Sequence, residues 1–278
     1  MMNRLVINPA YAGELGFYSA SISHRNQWTG IEGAPTTQNL SLHGPAKKGK
    51  LGLGLILFRD VIGVSKENNI SFSFAYKIKN KKQASLSFGL SGSAVFMTNE
   101  WSQITTAKEN DQSFSSNSPQ YVFPDFSAGV FYDAKKYFVG LSIPKFIQHD
   151  LDGSSNKYSM KSDFSQFNYL LEAGLKIPLN KSIVIKPSFL ARYTQTAPFQ
   201  IDLNTIVDIN NKFGIGVSYR TQDALVLLLQ LHASDQIIIG YSFDYTTSKL
   251  QKHNNGSHEI FLRYDFRYKV KAFDPRLF

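Results

Sequence analysis

Ile70-Ser71-Phe72-Ser73-Phe74-Ala75-Tyr76-Lys77-Ile78 sets a large apolar side chain at every even position and a small or polar one at every odd position. Successive Cβ atoms of a strand point to opposite faces, so this stretch predicts a strand with one greasy side and one small or polar side. The pattern spreads in both directions. Leu51, Leu53, Leu55 and Leu57 share a face opposite Gly52 and Gly54. Ala84, Leu86, Phe88 and Leu90 oppose Ser85, Ser87, Gly89 and Ser91. Phe213, Ile215, Val217 and Tyr219 oppose Gly214, Gly216, Ser218 and Arg220. Ile260, Leu262, Tyr264, Phe266 and Tyr268 oppose Glu259, Arg263, Asp265 and Arg267. No window of about 11 residues carries a convincing helical period.

Candidate strands run 16–26, 37–44, 51–60, 68–78, 83–97, 125–133, 136–147, 166–177, 182–194, 198–208, 212–221, 223–233, 236–246 and 257–268. A soluble β-sandwich also alternates in this way. Two features argue for a membrane barrel instead. The polar faces carry Gly, Ser and charges of both signs, as a barrel lumen does. The connections are expected to alternate strictly in length: 45–50, 79–82, 134–135, 178–181, 209–211 and 234–235 are short, whereas those between them include the long, polar 98–124 and 148–165. Membrane barrels have short periplasmic turns and longer extracellular loops. The expected fold is therefore all-β: one transmembrane antiparallel β-barrel of about 14 strands. It forms a single domain over 1–278, with 1–15 and 269–278 as periplasmic N-terminal segment and C-terminal tail.

Composition agrees. The chain has 278 residues and no Cys, so disulfides and thiolate metal sites are excluded. Its 22 Phe and 14 Tyr suit aromatic girdles at both membrane interfaces. A net charge of +9 would ordinarily suggest an anionic partner. Lys in the short turns explains it without nucleic acid, and none is expected as a partner. No stretch approaches the roughly 18 apolar residues of a membrane helix. Met1 to Ile7 is too short to hold the apolar core of a signal peptide, which an outer-membrane protein needs. The numbering is thus expected to begin inside a longer precursor or at a misassigned start codon.

No catalytic constellation is found, so no enzyme and no cofactor is expected. There is no G-x-S-x-G elbow and no P-loop. Gly52 and Gly54 sit inside a strand and read as small lumen-facing residues. None of the six His stands at zincin spacing, and His149 with Asp150 and Asp152 reads as solvated loop charge or, less simply, a cation site. By parity Glu172, Lys176, Lys186, Arg192, Asp202, Asp208, Arg220, Asp244, Glu259, Arg263 and Asp265 face the interior. A charge on the lipid face would cost about 2–4 kcal/mol at the midplane, so parity and energetics agree. These lumen charges line a polar channel or a cargo-facing surface, or they fill the barrel as satisfied ion pairs; both readings stand. A polar cluster, Arg25, Gln27, Trp28, Gly33, Ala34, Pro35 and Thr36, spans the first strand end and first outer loop. Arg with Trp favours a binding hot spot, against an ordinary girdle Trp. Trp101 and Tyr121, in the long 98–124 segment, join Arg25, Gln27, Trp28, Gly33 and Pro35 as candidate partner contacts.

Several stretches, in order, carry a resemblance. They are Asn8-Pro9-Ala10-Tyr11-Ala12-Gly13, Arg25-Asn26-Gln27-Trp28 and Gly33-Ala34-Pro35-Thr36. Pro124-Asp125-Phe126-Ser127-Ala128-Gly129-Val130 with Tyr137-Phe138-Val139-Gly140-Leu141-Ser142 follows. Gly240-Tyr241-Ser242-Phe243-Asp244-Tyr245, Ser257-His258-Glu259-Ile260 and Pro275-Arg276-Leu277-Phe278 close the series. Together they resemble the PorP/SprF family of type IX secretion outer-membrane proteins. The resemblance implies an outer-membrane component of the secretion and gliding apparatus of Bacteroidetes. Its implied partners are a large secreted surface protein or adhesin, bound through its C-terminal domain, other type IX secretion components, and outer-membrane lipid and lipopolysaccharide. The rival expectation is a barrel that transports small hydrophobic or polar solutes.

Overall fold

The structure, a computed structural model, describes residues 3–80, 84–104, 116–152 and 157–267, with 149–152 and 157–161 described by backbone alone. Seventeen strands occur among them. They are β1 (Tyr18–Asn26), β2 (Thr36–Ala46), β3 (Leu51–Ile62), β4 (Ser65–Lys79), β5 (Ser85–Asn99), β6 (Tyr121–Asp133) and β7 (Tyr137–Ile143). Then follow β8 (Gln148–Asp152), β9 (Lys157–Lys161), β10 (Tyr169–Leu175), β11 (Ile177–Pro178), β12 (Ile183–Thr194) and β13 (Ala197–Ile209). Last come β14 (Phe213–Arg220), β15 (Ala224–His232), β16 (Ile237–Thr246) and β17 (Ser257–Phe266).

Each barrel strand pairs antiparallel with its neighbours, β10 pairs with both β7 and β12, and β1 pairs with β17. The sheet therefore closes on itself and has no free edge. With β10 and β11 counted as one interrupted stave, fourteen staves make the wall. β8 and β9 form a separate hairpin in an outer loop, inside a region expected to be a plain connection. No helix among the described residues is long and apolar enough to cross a membrane; strands do the crossing.

The alternation is realised around the whole wall. Phe72, Leu90, Val217 and Ile260 point out and are more than half exposed, while Ser73, Ser87 and Ser218 point in and are buried. Exposed greasy residues on every stave and buried polar ones behind them invert a soluble core, and lipid resolves the inversion. Both chain ends of the wall lie at one edge, here the inner edge, with the short turns. That edge carries the exposed Lys47, Lys48, Lys50, Lys135, Lys136, Lys181 and Lys212, which localises the positive charge. Asn210 and Asn211, both at positive φ, make one of its tight hairpins.

Strict alternation in connection length does not hold. On the outer edge β3 and β4 meet through Gly63 and Val64 alone, and β12 and β13 through Gln195 and Thr196. The β3–β4 ladder continues to Ile62 opposite Ser65, beyond the apolar band. Backbone pairing needs no lipid, so this hairpin stands above the membrane where its side chains turn polar. Likewise β6 begins at Tyr121 rather than at Asp125. The C-terminal tail 269–278 lies outside the described residues.

Candidate functional site

The N-terminal segment is not periplasmic: it runs inside the wall. Asn3 donates its side-chain amide to Asn39 Oδ1 at 3.1 Å and to Ser41 Oγ at 2.8 Å. Leu5 packs against Ile56 and Ala75. Asn8 is fully buried, and its amide donates to the carbonyls of Val130 (3.1 Å) and Leu141 (3.3 Å). Its Oδ1 caps the short turn Pro9–Tyr11 by accepting from the Ala10 N–H. Ser142 Oγ donates to the Ile7 carbonyl at 2.7 Å. Farther on, the Gly13 N–H donates to His43 Nδ1, and Lys77 Nζ donates to the Gly13 carbonyl and pairs with Glu14 at 2.8 Å. Ser85 and Ser87 donate to the same Glu14 carboxylate.

The wall is shaped for this segment. A Cβ on Gly52 would sit 1.9 Å from the Ala12 carbonyl oxygen, and one on Gly89 would sit 2.1 Å from the Ala10 nitrogen. Inward glycine here is space for backbone, as close approach requires. That is also why Gly52 and Gly54, read from sequence as small lumen-facing residues, are small.

The segment occupies the half of the lumen walled by β1–β7. On the other half a cavity of about 350 Å³ remains, bounded by Arg4, Glu172, Arg220, Asp244 and other inward residues of β10–β17. Its charges pair across strands. Arg220 bonds Asp202 (3.1 Å), Asp223 (3.0 Å) and Asp244 (3.4 Å). Arg25 bonds Asp244 (2.6 Å) and Glu259 (3.3 Å). Lys186 pairs with Asp208, and Asp265 with Arg263 and Arg267. Arg192 donates to Gln200, and Lys176 sits at the inner edge near Asp133. Arg4, from the N-terminal segment, lies over the Phe138 ring and reaches Glu172 at 3.7 Å. The lumen is thus both partly filled and ion-paired, and the two sequence readings merge. Asp208 Oδ1 and Asp244 Oδ1 are buried and accept no hydrogen bond among the described residues.

The candidate partner contacts separate. Arg25 lies near the end of β1, on the strand as expected, and its side chain enters the lumen. Gln27 to Pro35 braces three outer connections. The Gln27 N–H donates to the Pro35 carbonyl, the Trp28 N–H to Ser257 Oγ, and the Gly63 N–H to the Gly33 carbonyl. Trp28 itself takes a φ of +44°, held by these bonds, and Pro35 is buried. Tyr121 stacks on Phe123 within β6, so it is a wall residue, and half-buried Trp101 opens a short turn above β5. A second outer feature escaped the sequence reading: Phe167, buried beneath exposed Phe164 and against Phe146, staples the β8–β9 loop to the rim. Among the described residues no group of His, Asp and Glu is placed to hold a metal ion. The side chains of His149, Asp150 and Asp152 lie outside the described residues.

A closed antiparallel cylinder with greasy outer face, ion-paired lumen and short turns at the edge of both termini defines an outer-membrane β-barrel. Solved barrels share the shape. The CymD monoaromatic hydrocarbon channel matches with a TM-score of 0.56 at 14% identity, over 95% of this chain and 93% of that one. The Ralstonia pickettii toluene transporter TbuX matches at 0.55 and 8%, over 95% and 93%. The Acinetobacter baumannii outer membrane protein Omp33 matches at 0.52 and 8%, over 91% and 98%. At such identities the likeness is one of fold alone. No curated protein matches the sequence significantly. The chain belongs to the PorP/SprF family, type IX secretion system membrane proteins, whose profile matches residues 1–264.

Proposed function

We propose that this barrel is a non-catalytic component of type IX secretion that receives a secreted surface protein through that protein's C-terminal domain, and exports it or holds it at the cell surface. The lumen half beside β10–β17 and the outer loops form the contact surface. The observation that carries the reading is the charged lumen cavity lined by Glu172, Asp202, Arg220, Asp244 and Glu259, on the side of the wall away from the N-terminal segment. A polypeptide brings N–H and cationic donors to such a carboxylate-lined surface. Membership of a secretion family supports the same direction. The specific interface needs about 800 Å² on each partner, more than the cavity alone offers, so the outer loops contribute.

The test is co-purification. Full-length barrel solubilised in detergent is expected to retain a large secreted partner, or its isolated C-terminal domain. Replacing 104–116 by a short Gly-Ser link, or Asp244→Asn with Asp202→Asn, is expected to weaken retention. Retention unchanged by both would remove loops and lumen from the contact.

One feature favours a second reading, passage of small solutes. The β10–β12 ladder stops at Gly174 opposite Ser188 and resumes at Ile177 opposite Ile185. Pro187 in this gap has no N–H to give, while on the other side the Lys176 N–H continues the β7 ladder by donating to the Lys136 carbonyl. An apolar dent of about 600 Å³ lies outside this part of the wall, with Pro187, Ser188 and Phe189 common to it and to the lumen cavity. Conductance in a planar bilayer, or uptake of an aromatic solute into liposomes, would favour this reading over the first.

A further inference from the structure

We propose that the outward face of β1–β4, at its outer edge, binds a phosphorylated, multiply acylated glycolipid of the outer leaflet. Around the rest of the outer rim the outward positions carry aromatic or aliphatic groups, among them Tyr193, Phe199, Tyr219, Leu225 and Tyr245. In β1–β4 the girdle is replaced by a polar row. His24 stands opposite Gln38, Gln38 opposite Arg59, and Arg59 opposite Asn68, and all four are exposed. One step toward the membrane centre the same register gives Ile22, Leu40, Leu57 and Ile70. The two rows together line a groove of about 620 Å³ on the lipid-facing surface.

The levels fit an amphipathic lipid. Arg59 follows Leu51, at the inner end of β3, along one strand. At about 3.3 Å per residue and about 40° of tilt, that distance carries it about 20 Å up an apolar band about 25 Å tall, to the outer interface. The apolar row then lies at acyl-chain depth. Nearby Lys66 is committed to Glu100, at 2.5 Å. Arg59 makes no ion pair or hydrogen bond among the described residues, so its fork faces outward for an external anion. A guanidinium matches phosphate in two parallel hydrogen bonds. His24, Gln38 and Asn68 add donors along the same line. A zwitterionic phospholipid presents an ammonium beside its phosphate, which Arg59 repels; a headgroup with phosphates and sugar hydroxyls has no such conflict.

The experiment is native mass spectrometry of the delipidated full barrel in detergent with bis-phosphorylated lipid A, dephosphorylated lipid A or phosphatidylethanolamine. Retention of the bis-phosphorylated form over the other two is expected. Arg59→Gln is expected to lower that retention about tenfold, the loss of one charge-assisted hydrogen bond. Lys212→Gln, at the inner edge, should leave it unchanged. Heat-modifiable migration in electrophoresis confirms that each variant is folded. Equal retention of all three lipids, or of bis-phosphorylated lipid A by Arg59→Gln, overturns the proposal. So does a photocrosslinker at Gln38 that captures a polypeptide in cells instead of glycolipid.

Discussion

Gly89→Val is expected to dislodge the N-terminal segment from the lumen while leaving the barrel closed. The first added atom would lie 2.1 Å from the Ala10 nitrogen and 2.4 Å from Ala10 Cα and the Pro9 carbonyl carbon, all backbone. Restoring an ordinary contact moves the segment by more than an ångström. That displacement breaks the Asn8 bonds to Val130 and Leu141 and the Ser142 bond to Ile7, and parts Ala10 from Phe131 and Phe138. Three hydrogen bonds at about 1 kcal/mol each, with some packing lost, put the cost at about 2–4 kcal/mol. The chain has no Cys, so a single Ala10→Cys reports exposure of the segment without background. Ala10 is fully buried, and labelling of that thiol by a water-soluble maleimide should be slow. In the Gly89→Val background the rate should rise by about 30-fold to 1,000-fold, as local opening becomes easier by that free energy. Labelling that stays slow in a folded, heat-modifiable barrel would refute the plug.

Lys77→Met leaves the Glu14 carboxylate buried without its cation, and is expected to cost about 3–5 kcal/mol in urea unfolding; Lys77→Met with Glu14→Gln should recover much of it, because one of the Ser85 and Ser87 hydroxyls can donate to the amide oxygen and the other accept from its NH2. Phe72→Arg, on the lipid face, is expected to destabilise the barrel in liposomes by about 2–4 kcal/mol, and an unchanged unfolding midpoint would deny that face to lipid. Asp163 in the outer loop accepts from the Ser165 N–H, which holds its carboxyl below the usual range. A depressed folded value means the cap's contribution is present above the unfolded value of about 3.9 and is lost as pH falls through the folded one. Amide exchange at Ser165 should therefore lose protection only under acid, and Asp163→Asn should flatten that dependence.

Parity along the strands was legible because a period of two leaves no choice: once Phe72 and Phe74 face lipid, Ser73 must face in. Strand ends were less so. Pairing of β3 with β4 outlasts the apolar band, so the change to Arg59, Asp60, Lys66 and Glu67 marks the membrane surface rather than the turn. Parity offered a list of inward charges but said nothing of their partners. Arg25 meets Asp244 across 219 positions, a contact created only when β1 closes on β17. The same closure hid the role of Asn8 to Gly13. That stretch has no periodicity of its own, and its receptors are single positions scattered over β2–β7, among them His43, Gly52, Lys77, Gly89 and Gly129. The legible trace was indirect: inward glycines at 52, 89 and 129 are smaller than an ion-paired lumen requires.

The interior is consequently two unlike halves, and the division bears on mechanism. Against β1–β7 the lumen is largely occupied by the N-terminal segment, with Asn8, Lys77 and Glu14 bonded in place and a smaller cavity of about 180 Å³ left beside Leu5 and Ile56. The larger space for a guest, peptide or solute, is the β10–β17 side, where the charged cavity and the ladder gap at Pro187 lie together. The two proposals therefore compete for one space and separate by chemistry there. Asp244→Asn removes charge from the cavity without touching the gap, so it should impair capture of a polypeptide more than passage of an aromatic solute. Pro187→Val restores a ladder donor without changing the charges. It should close a lateral path and leave polypeptide capture intact.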